Sequence, residues 1–108
     1  PAITMTVTPE LKRNYRVAFL RYLPRREEEP LRVAYEIGRS AVVQGITILD
    51  LAELHHEVFL EVLQNTPQTE FARVTAGASE FFREVLATFD MTQRSLLEQQ
   101  RPPTASER

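Results

Sequence analysis

Apolar residues that recur three and four positions apart, in runs punctuated by proline and glycine, constrain this chain to helix. Thr8-Pro9-Glu10 supplies an N-cap residue, a proline at the first helical position and an acid in the first turn, and Leu11, Tyr15, Ala18, Phe19 and Tyr22 follow. The spacing predicts a first helix that ends at about Leu23, before Pro24. Glu27, Glu28 and Glu29 place negative charge at the next helix start, where the helix dipole favours it. Leu31, Ala34, Tyr35, Gly38, Ala41 and Val42 then form an apolar stripe, and Gly45 is placed to end the helix in a left-handed cap. Thr47, with Asp50 three residues on, opens a third helix that reaches Gln64. After Asn65-Thr66-Pro67 the positions Phe71, Val74, Ala78, Phe82, Val85, Phe89 and Leu96 predict the longest helix, stopped by Pro102 and Pro103. No strand alternation, internal repeat or glycine-rich phosphate loop interrupts the pattern. The expected fold is all-α: a four-helix bundle-like domain over residues 9–100 with a long C-terminal helix, expected as a dimer. Residues 1–8 are expected as an extended or disordered N-terminus and residues 101–108 as a linker or tail.

Composition narrows the function classes. A chain of 108 residues, 43% hydrophobic and 26% charged, builds one core and not two. No apolar run approaches the roughly 20 residues that span a bilayer, so no membrane partner is expected and the chain is placed in the cytoplasm. Absence of cysteine removes disulfides, thiolate ligands and a thiol nucleophile together. A net charge of −2 gives no general attraction to nucleic acid. The charge is unevenly spread: Lys12, Arg13, Arg16, Arg21, Arg25 and Arg26 make the first helix basic, while Asp50, Glu53, Glu57, Glu61 and Glu70 fall in a segment without Lys or Arg. The two segments either stay solvated separately or attract each other, within the chain or between copies.

Both histidines lie in LAELHHEVFLEV, Leu51 to Val62. On a helical wheel Leu51, Leu54, His55, Val58, Phe59 and Val62 share one face, which makes His55 a core residue hydrogen-bonded across the bundle. His56 sits at the border, one turn from Glu53. Glu53-x-x-His56 is half of a carboxylate-bundle metal site, but no further histidine exists in the chain, so a complete site would need a dimer to supply the other half, and Leu60 stands where a His-Glu-x-x-His protease motif needs its second histidine. Neither a metal nor another cofactor is therefore expected. Ser40, Ser79 and the threonines lack the strand-turn-helix setting of a hydrolase nucleophile, so no catalytic residue is assigned.

Leu49, Leu60, Met91 and the adjacent pair Phe81-Phe82 exceed what one apolar stripe per helix requires, which favours self-association over a wider monomer core. The dimer contacts are assigned to Phe81, Phe82, Val85, Phe89 and Leu96 on the long helix. Gly38 and Gly77, unfavourable mid-helix by about 1 kcal/mol each relative to alanine, imply close helix approach at those points.

The run EPLRVAYEIGRSAVVQGITILDLAELHHEVFLEVL followed by GASEFFREVLATFDMTQRSLLE resembles the N-terminal regulatory domain of RsbU-type phosphoserine phosphatases. The matching pieces are Gly45-Ile46, Leu54 to Val58, and Phe81-Phe82 with Glu84, Val85, Leu86, Phe89, Met91, Gln93 and Arg94. The resemblance implies a fold similar to the C-terminal domain of the clock protein KaiA. It also implies a non-catalytic bacterial signalling domain that dimerises and recruits a switch-kinase-like protein regulator to control a downstream phosphatase or kinase module in a stress-response type pathway. It places partner contacts at Glu28, Arg32, Arg83 and Ala87; Arg32, Arg83 and Ala87 depart from the larger apolar residues such a contact implies, which points to a different partner. The alternative function is a helical-bundle sensor for a small apolar ligand. On this sequence, replacing His55 with a charged residue destabilises the fold by several kcal/mol, whereas His56→Ala has little effect; equal small losses in urea titrations would show that the face is misassigned.

Overall fold

The computed structural model describes residues 7–100. Expectations for residues 1–6 and for the tail 101–108 lie outside the described residues. Within them the chain forms α1 (Pro9–Arg25), α2 (Glu28–Gln44), α3 (Ile48–Gln64), a single 3-10 turn (Gln68–Glu70) and α4 (Phe71–Gln100). The all-α expectation holds.

The helix ends follow local chemistry. The Thr8 hydroxyl accepts the Leu11 N–H at 3.0 Å and the Thr47 hydroxyl accepts that of Asp50 at 3.1 Å, each satisfying a donor that a helix start leaves free. Gly45 (φ 78°) closes α2 in the left-handed conformation, its N–H bonded back to α2 carbonyls. α1 departs from the sequence reading by continuing through Pro24 to Arg25. Proline there removes one bond, to the carbonyl of Leu20, whose side chain is exposed, so water can serve that carbonyl. The helix stops at Arg26 (φ 55°), whose N–H bonds Tyr22 O at 2.7 Å.

α1 and α4 run antiparallel through the middle, with α2 against both on one side and α3 against both on the other. Although only Gly45, Ile46 and Thr47 join them, α2 and α3 share almost no contact. The tightest seam is α2 on α4, where Ala34, Gly38 and Ala41 are buried. A Cβ at Gly38 would collide with Thr88 Oγ1 and the Val85 carbonyl and sit 3.0 Å from Phe89 N, so the two backbones meet at that point. Thr88 is buried there and donates into the carbonyls of Glu84 and Val85 (3.0 and 3.1 Å), which leaves no orphan hydroxyl at the seam. Gly77 also faces a neighbour, but its would-be Cβ meets side-chain atoms, Leu23 Cδ2 at 2.9 Å and Arg26 Nε at 3.1 Å.

Several stripe assignments change, and Phe71, read on the α4 stripe, is exposed. Tyr35 is exposed and Ile37 is buried in its place, because α2 is wedged between α4 and α1 and turns Ile37 inward beside α1. On α4, Phe81 rather than Phe82 carries the core: it is fully buried among Tyr15, Phe19 and Tyr22, with ring centroids 5.2–6.0 Å away. Helices flank α4 on several sides, so a residue 100° off the expected stripe is still inside. Phe81, Val85 and Phe89, assigned to dimer contacts, therefore lie in the chain's own core, while Phe82 is half-buried and Leu96 is exposed. Leu49, Leu60 and Met91 are exposed as read.

The basic and acidic segments meet within the chain. Lys12 pairs with Glu57 (3.1 Å), and Arg16 grips Glu61 through Nε and Nη2 (3.0 and 3.1 Å), so α1 and α3 lie parallel. Partly exposed pairs contribute only about 0–1 kcal/mol each, so they fix register more than stability. At the other end of α1, Tyr22 donates to Glu80 (2.8 Å), Arg26 bonds Glu80 and the Arg73 carbonyl, and Arg73 caps the free Leu23 carbonyl at 3.0 Å. Burial, with the Glu80 carboxylate beside it, pushes the Tyr22 phenol up to about 12.

The two glycines separate packing from propensity. Gly38→Ala should lower stability by about 2 kcal/mol or more in urea despite alanine's better helix propensity, since backbone cannot step aside, and Gly77→Ala should be near neutral because Leu23 and Arg26 can re-orient. A stabilised Gly38→Ala protein would contradict the close seam.

Candidate functional site

The site is built around the α3–α4 flank. His55 is half-buried rather than fully buried. Its ring stacks face to face on Phe82, centroids 4.1 Å apart and planes 5° from parallel, and its Nδ1 lies 2.7 Å from the Tyr15 hydroxyl. No buried polar side-chain atom among the described residues lacks a partner, and Nε2 has none among them, so Nε2 reaches solvent. This fits the tautomer with the proton on Nε2 and the Tyr15 O–H donating to Nδ1. Burial, then the neighbouring His56, pushes His55 down to about 4, and burial pushes Tyr15 well above the usual phenol range. Both groups are neutral near pH 7, and the hydrogen bond across the bundle holds the imidazole in place.

Over this stacked pair lies an open hollow of about 440 Å³ lined by His55, Ser79, Phe82, Arg83, Leu86 and Ala87. On the opposite flank of α4, Glu28, Glu29, Leu31, Arg32, Tyr35 and Glu84 line a second hollow of about 500 Å³. The four assigned partner residues are all exposed, but the fold divides them: Glu28 and Arg32 border the α2 hollow, Arg83 and Ala87 the α3 hollow. A third hollow, of about 580 Å³, lies between α1 and α2 and involves none of them. The sequence reading did not find that His55 and Phe82 floor the Arg83 hollow. The signal is present in the surplus of Phe82, which the sequence assigns to a dimer contact.

Glu53 and His56 stand exposed on α3, and among the described residues no three His, Asp or Glu side chains converge as metal ligands. No helix among them is long and apolar enough to cross a membrane. What the geometry offers is a small all-helical domain whose rigid helix flanks carry shallow, chemically distinct grooves.

Comparison with known proteins agrees with this class. The family model for the N-terminal domain of phosphoserine phosphatase RsbU matches residues 13–92, and the chain belongs to that family. This is a regulatory domain, distinct from the catalytic phosphatase domain. No curated protein and no solved structure matches the chain. The matched range ends at Thr92; from Gln93 to Gln99 every residue is exposed, so the family pattern stops where α4 leaves the bundle.

The half-buried imidazole sets an acid response. Unfolded His55 takes up its proton near 6.5 and the folded form near 4, so below pH 6.5 the unfolded chain binds more protons. Stability from this group is complete above 6.5 and is lost as pH falls through that window, by on the order of 2 kcal/mol after allowance for the ring's open edge. Urea titrations from pH 7 to 4 should show a shallower loss in His55→Gln; identical slopes would contradict the account.

Proposed function

We propose that the chain is a non-catalytic signalling domain that self-associates and recruits a protein regulator to control a phosphatase or kinase module, in a stress-response type pathway of the bacterial cytoplasm. The observation that carries this reading is the family match over residues 13–92, which runs from within α1 into α4 and so spans most of the bundle. The exposed positions Glu28, Arg32, Arg83 and Ala87 support it, since they border open grooves on both flanks of one rigid helix. Open grooves suit docking better than enclosure of a small apolar ligand.

With Phe81, Val85 and Phe89 inside the core, self-association falls to Leu96 and its exposed neighbours Met91 and Leu97 on the α4 extension. Light scattering over a concentration range should give twice the 12.5 kDa chain mass, and Leu96→Asp with Leu97→Asp should give the single mass with an unchanged melting temperature. A wild-type monomer at tens of micromolar, or a dimer indifferent to these changes, would count against this part. For recruitment, a regulator cross-linked to the chain in cells should be lost with Arg32→Glu and Arg83→Glu and kept with His56→Ala. Retention in both Arg variants would count against the docking faces.

A further inference from the structure

We propose that the α3–α4 hollow is an anchor pocket for an acidic partner helix, which seats one bulky apolar side chain over the His55–Phe82 stack and sets a carboxylate on Arg83. The inference rests on the recruitment reading and names the chemistry of the partner.

The pocket floor is preformed. His55 and Phe82 are stacked at 4.1 Å, and Tyr15 holds His55 from beneath at 2.7 Å, so an incoming side chain meets a fixed aromatic surface and little ordering is required. Leu86 adds an apolar wall. Ser79 and Ala87 stand one turn before and one turn after Arg83, and their small side chains let a second helix approach along the groove.

Charge decides which helix. Arg83 is exposed, makes no ion pair with a described residue, and among the described residues is the only permanently charged side chain lining the hollow. The nearest carboxylates of its own helix are turned elsewhere: Glu80 is held by Tyr22 and Arg26 toward α1, and Glu84 lines the α2 hollow. Among the described residues that second hollow carries Glu28, Glu29 and Glu84 against Arg32. The two flanks of α4 thus present opposite sign in a chain of net charge −2. An acidic helix of the regulator is drawn to the α3 side and repelled from the α2 side, which leaves the Arg32 groove to another part of the same regulator.

The test is selection of helical peptides from a randomised displayed library against the folded chain. Selected peptides should carry Leu, Met, Phe or Trp with Asp or Glu one turn away. The strongest should shift the ring resonances of His55 and not His56, which two histidines in the chain make easy to separate. Its affinity should fall at least tenfold in Arg83→Gln and in Ala87→Trp, which fills the hollow; Ala87→Leu serves if the tryptophan variant melts early. Peptides without acidic residues, unmoved His55 resonances, unchanged affinity in these variants, or no binder at all would overturn the proposal. A cellular regulator lost with Arg83→Glu yet retained with Ala87→Trp would overturn the anchor pocket while leaving recruitment standing.

Discussion

Backbone contact between α2 and α4 at Gly38 is the constraint from which the rest of the arrangement follows. With no side chain at Gly38, and with Ala34 and Ala41 one turn to either side, α2 settles against Thr88 and the Val85 carbonyl. Dispersion between closely packed helices is individually small and collectively large, so a seam this tight determines which pairs form elsewhere. It sets α2 parallel to α4 on one flank and leaves the other flank for α3, whose return through three linking residues carries it across the bundle. The Lys12–Glu57 and Arg16–Glu61 pairs then fix α3 in register with α1.

A consequence is that α4 acts as a spine. Its middle is buried by three helices, Phe81 most deeply, and its two exposed flanks become the walls of separate grooves. In the proposed reading, docking belongs to the edges of the spine. Arg83 and Glu84 are adjacent in sequence yet line different grooves of different charge, because successive helical residues point about 100° apart. His55 connects interior and edge: its Nδ1 is tied to the core through Tyr15 while its ring forms part of a surface.

Much of the fold was legible in the sequence because helix ends are local. Thr8, Gly45 and Thr47 act within one turn of themselves, and Gly38 and Gly77 betrayed close approach by their cost in a helix interior. What escaped was non-local. The wheel gave α4 one stripe, centred on Phe82, and could not know that neighbours on several sides would bury Phe81 instead. The basic and acidic segments were visible, but their meeting within one chain depends on the parallel placement of α1 and α3, which no spacing encodes. The Tyr22, Arg26, Arg73 and Glu80 cluster joins residues up to 58 positions apart and left no periodic trace. For the candidate site, Arg83 and Ala87 entered through family resemblance, and their hollow emerged only once His55 and Phe82 were seen to stack.

Hydrogen exchange along α4 at several protein concentrations tests most directly the claim that this helix is buried within a single chain. The account predicts slow exchange from Val74 to Phe89 that does not change on dilution, with any protection of residues 93–99 falling as the protein is diluted. Loss of protection between Val74 and Phe89 on dilution would contradict it, because the core would then belong to an assembly and not to one chain.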